Sequence, residues 1–123
     1  MAAGGDVEVV ALLARRADLS FAAFVDYYET RHAPLILSIA PEIVRYERSF
    51  LRRDEAIVVP GAADPDFDVV TRISFADEAG YARAMARMAE PETAKRIADD
   101  EENVFDRSRT RFYRVEQRRS AID

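Results

Sequence analysis

The sequence predicts an α+β fold in the order β-α-β-β-α(α)-β, an antiparallel sheet with its helices on one face, which is the split-βαβ or ferredoxin-like arrangement. Three observations carry this reading. Four strand-length segments of apolar or alternating character stand at residues 7–14, 43–51, 67–75 and 109–117. Two stretches with apolar residues at helical spacing lie where the crossover helices belong. The length, 123 residues, suits one domain, and a composition 49% apolar and 33% charged is that of a folded chain.

The elements follow in order. Residues 1–5 read as a flexible N-terminus, 6–117 as the domain and 118–123 as a polar C-terminal tail. Residues 7–14 (VEVVALLA) form a nearly continuous apolar run, consistent with a strand covered on both faces. After a polar turn, Ser20 can cap a helix whose stripe is Phe21, Phe24, Val25 and Tyr28. That helix is expected to end near His32 and Ala33, because the residue before Pro34 disfavours α geometry. Residues 35–40 then add a short turn, and 43–51 a second strand. Residues 53–66, with Pro60, Gly61 and Pro65, are the longest loop. In 67–75 the residues Phe67, Val69, Thr71, Ile73 and Phe75 share one face. Asp77 opens a second helix with the stripe Tyr81, Met85 and Met88. Pro91 suits the first turn of a third, whose stripe is Ala94, Ile97, Ala98, Val104 and Phe105. The last strand is 109–117. The sheet face without helices still reads as apolar or aromatic, so a second copy is expected to cover it. The product is a homodimer with two sheets face to face, an α/β barrel.

Composition excludes several classes. A net charge of −5 and no basic stripe argue against nucleic acid. No segment approaches the ~20 apolar residues of a membrane span, and no basic region precedes an apolar leader, so the expected setting is the cytoplasm. There is no cysteine, and four glycines form no phosphate loop. One histidine cannot supply the usual metal triad, and no serine stands in a nucleophile elbow. Neither a metal nor another cofactor is expected.

A few residues could carry chemistry. His32 falls in the middle of the first helical stripe, so it faces the interior or a pocket near the expected helix end. It can serve as a proton shuttle, or it can be a core histidine bonded to backbone. Within the acidic run 99–102, most residues read as a solvated face. Glu101 is the exception, because it lies seven residues after Ala94 and four before Phe105, on the apolar stripe. A carboxylate there needs a partner or a raised pKa. Arg107, Arg109 and Arg111 would share a face if extended; they either balance the acidic run or orient a carboxylate or an enolate oxygen. Tyr28, Tyr46, Tyr81 and Tyr113 could line a cleft and offer hydroxyls, or be core residues. Met85 and Met88 read as packing.

Residues 19–37 (LSFAAFVDYYETRHAPLIL) resemble the first signature of the EthD family, with Phe24, Tyr28, His32, Ala33, Pro34 and Leu35 matching in order. Residues 100–109 (DEENVFDRSR) resemble its second signature. The resemblance extends over nearly the whole chain and implies the same dimeric, ferredoxin-like α/β barrel. For function it implies a cofactor-free lyase, a dehydratase or cyclase acting on an apolar, aromatic or polyketide-derived small molecule. His32 would be the acid–base residue with Asp100 or Glu101 as partner, and Tyr28, Tyr46, Tyr81, Asp106 and Arg109 would bind substrate. The signature matches Asp100 and Asp106 where periodicity points to Glu101, so the partner of His32 stays open. The alternative is a non-catalytic binding or accessory protein of a degradative or biosynthetic pathway; a third reading makes the dimer structural and His32 core.

Overall fold

The structure is a computed structural model and describes residues 6–123; the expectation for residues 1–5 lies outside the described residues. Strands β1 (Val7–Leu13), β2 (Ile43–Phe50), β3 (Val69–Phe75) and β4 (Arg111–Arg114) make one sheet in the order β2-β3-β1-β4. Every neighbouring pair is antiparallel. With the helices α1 (Phe21–Tyr27), α2 (Ala33–Ile39), α3 (Glu78–Met88) and α4 (Pro91–Glu101), this is the predicted ferredoxin-like α+β fold. Among the described residues no helix is long and apolar enough to cross a membrane. β4 is shorter than expected, because the chain enters it through a 3-10 turn at Arg107–Arg109 and is irregular after Arg114.

β1 is not covered on both faces within this chain. Val7, Val9, Ala11 and Leu13 are buried beneath the helices, while Glu8, Val10 and Leu12 on the other side are only partly buried. That second face pairs Glu8 with Ser74 and Val10 with Arg72. It is therefore a mixed surface rather than the apolar one the sequence reading expects. On the helix side a bulge between Ile43 and Arg45 shifts β2 by one residue. Ile43, Tyr46, Arg48 and Phe50 consequently stand opposite Phe75, Ile73, Thr71 and Val69 on the helix-facing side. Strict alternation from Ile43 would turn Tyr46 away.

The first crossover differs from expectation in an informative way. Ser20 caps α1 by accepting from the Ala23 amide at 3.0 Å. The helix does not stop before Pro34. It widens into a π turn over Tyr28–His32, where the Ala33 N–H donates to the Tyr28 carbonyl five residues back, and resumes as α2. Pro34 then sits in the first turn of the resumed helix, where its missing N–H leaves no bond unmade. The small side chain of Ala33 tolerates the helical backbone before proline. The extra residue brings both His32 and Ala33 to the buried side. At the second crossover, α4 ends at Glu101, so Val104 and Phe105 are buried beyond the helix rather than on it; an isolated bridge pairs Phe105 with Arg15.

Phe24, Tyr28, Phe50 and Phe105 meet edge to face, with ring centroids 5.5–6.4 Å apart. Such pairing adds to the burial of large apolar rings. Phe24 is fully buried at the centre of this cluster. Phe24→Ala should cost ~3–5 kcal/mol, the range for truncating a core aromatic. Urea unfolding beside the parent measures it, and a loss under ~1 kcal/mol would mean that this cluster is not what secures the helices to the sheet.

Candidate functional site

Between the helix-facing side of the sheet and the helices lies a cavity of about 360 Å³. Its floor is Val9, Ala11 and Ile73; Ile36, Met85 and Ile97 form walls from α2, α3 and α4. Met85 and Met88 pack against the core cluster of Val7, Val9, Phe75 and Ala84, as expected, and line the cavity as well. The polar and charged residues Tyr28, Tyr46, Thr71, His32, Glu101 and Arg107 complete its lining.

His32 is placed by the π turn and held edge-on by Phe105 and Tyr28, at centroid distances of 5.0 and 5.1 Å. Only 5% of its side chain is exposed. It lies in the middle of a continuous helix and not near a helix end, contrary to expectation. Its Nδ1 is 2.7 Å from Asp100 Oδ2 at the end of α4. The Tyr27 hydroxyl donates to Asp100 Oδ1 at 2.8 Å, and Asn103 Nδ2 donates to the Tyr27 oxygen at 3.2 Å. Both carboxylate oxygens are thus engaged. In the neutral ring, a carboxylate accepting at Nδ1 assigns the proton to that nitrogen and the lone pair to Nε2, on a side chain that lines the cavity.

Glu101, the next residue, points the other way around α4 and lines the cavity, with 13% of its side chain exposed. Burial pushes its carboxyl above the ordinary glutamate value, against the opposing pull of His32 and Arg107. Arg107 Nε donates to it at 3.2 Å. At the sheet end, the Tyr28 hydroxyl lies 2.6 Å from Thr71 Oγ1. Burial raises the pKa of Tyr28, and burial followed by the neighbouring Tyr28 hydroxyl raises that of Tyr46. Both phenols therefore stay protonated and able to donate.

The structure thus gives Asp100 and Glu101 different places: Asp100 behind the imidazole, Glu101 in the cavity. Tyr81 lines the cavity as well, its ring 5.3 Å from Phe75 and beneath the Arg114 guanidinium. Asp106 and Arg109 do not join them. Asp106 caps the 3-10 turn, accepting from the Ser108 amide and hydroxyl, and Arg109 donates to the Asp66 carbonyl. The turn is the reason, because it replaces the extended backbone that would have aligned Arg107, Arg109 and Arg111, and it leaves Arg107 alone at the cavity. Sequence reasoning missed Tyr27 and Asn103 altogether. Tyr27 precedes His32 by five residues, a spacing that joins them only across a π turn. Among the described residues no group of three or more His, Asp or Glu side chains could hold a metal ion.

The family model described as EthD domain matches residues 16–108. No curated protein matches the chain. Among solved structures, an EthD family protein from Bacillus halodurans C-125 is similar with a TM-score of 0.61 and 20% identity, over 92% of this chain and 99% of that one. SnoaB, a cofactor-independent oxygenase from Streptomyces nogalater, has a TM-score of 0.56 and 18% identity, over 98% and 100% of the two chains. A dimeric ferredoxin-like protein from Thermobifida fusca YX has a TM-score of 0.56 and 16% identity, over 93% and 92%. At these identities the likeness is one of fold.

A carboxyl with a raised folded-state pKa binds its proton more readily folded than unfolded. It therefore supports stability at low pH and withdraws that support as pH rises from the unfolded value, 4.5, through the folded one. The stability of the parent should fall relative to Glu101→Gln over that rise. Urea unfolding of both proteins at stepped pH measures the difference; a difference that stays constant with pH would contradict the burial of this carboxyl.

Proposed function

The chain belongs to the EthD family, and from that membership and the His32 site we propose that it is a cofactor-independent acid–base catalyst acting on an apolar, ring-bearing small molecule. The observation that carries the reading is the buried imidazole whose Nδ1 is committed to Asp100 and whose ring lines an apolar cavity. The volume lies within the range of small-ligand sites, roughly 300–1,000 Å³.

In this reading His32 Nε2 takes a proton from a carbon beside a substrate carbonyl. Asp100 stabilises the imidazolium that forms and keeps the ring in one orientation, with Tyr27 fixing Asp100 in turn. The enolate oxygen receives hydrogen bonds from the phenols of Tyr28 and Tyr46, which burial keeps protonated. Return of the proton to a departing hydroxyl completes a dehydration; attack of the enolate carbon on a second carbonyl of the same molecule completes a cyclisation. A second reading is favoured by the likeness to SnoaB, itself a cofactor-independent oxygenase. There the same deprotonated substrate would react with dioxygen.

The open sheet face supports a homodimer. It carries Val10, Leu12, Val70 and Tyr113 among its charges, and similar ferredoxin-like proteins are described as dimeric. Light scattering at micromolar concentration should give twice the chain mass, and a persistent monomer would remove the sheet-to-sheet pairing.

Turnover of anthrone and aromatic polyketone substrates, with and without oxygen, tests the catalytic reading. Turnover without oxygen supports the lyase; turnover only with oxygen supports the second reading. Binding without turnover would make the protein a non-catalytic binder. Where turnover is found, His32→Gln and Asp100→Asn should each lower kcat ~10²–10⁴-fold, as expected for loss of general acid–base catalysis. Tyr27→Phe should lower it less. An Asp100→Asn protein with the parental rate would overturn the assignment.

A further inference from the structure

Among the described residues Arg107 is the only arginine or lysine that lines the cavity. It also borders an open groove on the outside, formed with Arg16, Glu102, Phe105 and Asp106. Its guanidinium thus stands at the boundary between solvent and the apolar interior, with 47% of the side chain exposed. Its cavity-side partner is Glu101, a carboxylate that is itself poorly solvated and whose ionised form burial disfavours. A second contact, to Glu102 at 3.9 Å, is long. The other groups facing Glu101 are His32, from the π turn, and Asp100, on its own helix.

An ion pair of this kind is easily exchanged. The desolvated carboxylate needs the guanidinium to stay ionised, but the guanidinium does not need that particular carboxylate. We infer that Arg107 is the anion-recognising residue of the cavity, and that the substrate is an aromatic molecule bearing a carboxylate, which displaces Glu101 from Arg107. Glu101, left in an apolar cavity without its partner, takes one proton from solvent. The ring then lies against Ile73, Met85 and Ile97 while its carboxylate stays at the mouth. Acid binding is accordingly coupled to proton uptake and weakens as pH rises. This rests on the cavity reading above and narrows the substrate class within it.

The test uses 2-naphthoate and its neutral analogue 2-naphthamide as probes, with isothermal titration calorimetry in two buffers of different ionisation heat. The parent should bind naphthoate ~10-fold or more tightly than the amide, as a charge-assisted contact predicts, with net uptake of a proton. Arg107→Gln should abolish the preference, and Arg107→Lys should retain part of it. Glu101→Gln should bind naphthoate with no proton uptake. Circular dichroism confirms that each variant is folded, and the lysine variant serves should the glutamine one fail. If both probes bind the parent equally, or Arg107→Gln keeps the preference, the inference falls while the cavity reading stands. If neither probe binds, both fall.

Discussion

The 2.7 Å contact between His32 and Asp100, with the Tyr27 hydroxyl beside it, joins the interrupted helix of the first crossover to the end of the second at the edge of the cavity. Leaving a cavity between helices and sheet forfeits dispersion contacts and apolar burial. The layer above the sheet must therefore be secured at its margins. On one side the edge-to-face cluster of Phe24, Tyr28, Phe50 and Phe105 does this. On the other, Arg87 on α3 donates to both the Ile39 carbonyl at the end of α2 and the Glu42 carboxylate, whose pKa it depresses to about 2. The imidazole–carboxylate pair closes the span between these margins. It is nearly desolvated on both sides, and such a pair holds its geometry only when its remaining hydrogen-bonding capacity is met. The Tyr27 hydroxyl meets it for Asp100.

The π turn supplies the geometry for this. A regular α-helix would carry one residue fewer through the turn, and His32 and Ala33 could not both face inward. The widened turn also resolves the conflict posed by Pro34, whose ring and missing N–H would break a regular helix. One local irregularity thus keeps the crossover helix continuous and turns the imidazole toward Asp100. The cost of a wide turn recurs at functional sites elsewhere, and here it coincides with the only histidine of the chain.

Much of the architecture was legible because it rests on periodicity. The alternation of Val69, Thr71, Ile73 and Phe75 specifies a face, and Ser20, Asp77 and Pro91 mark helix starts by local hydrogen bonding or by a missing donor. The on-stripe position of Glu101 was legible for the same reason, since α4 is regular as far as that residue. Illegibility begins where the period changes. The π turn hid Tyr27 and extended a helix that proline was expected to stop. The bulge before Arg45 brought Tyr46 to the cavity by a route that alternation opposes. The 3-10 turn exchanged Arg109 for Arg107 at the site. The acidic run divides between the two places that the rival readings named. Asp100 and Glu101, being adjacent on a helix, diverge by ~100°, so one meets the histidine and the other meets the cavity.

The central claim is that His32 is a cavity base oriented by Asp100 rather than a core side chain. Because the chain has one histidine, its imidazole nitrogens are assignable without ambiguity in a long-range ¹H–¹⁵N correlation spectrum. The account predicts that the neutral ring carries its proton on Nδ1, that Asp100→Asn disturbs this tautomer, and that a bound aromatic ligand shifts Nε2 more than Nδ1. A neutral ring protonated on Nε2, indifferent to Asp100→Asn and to ligand, would contradict it.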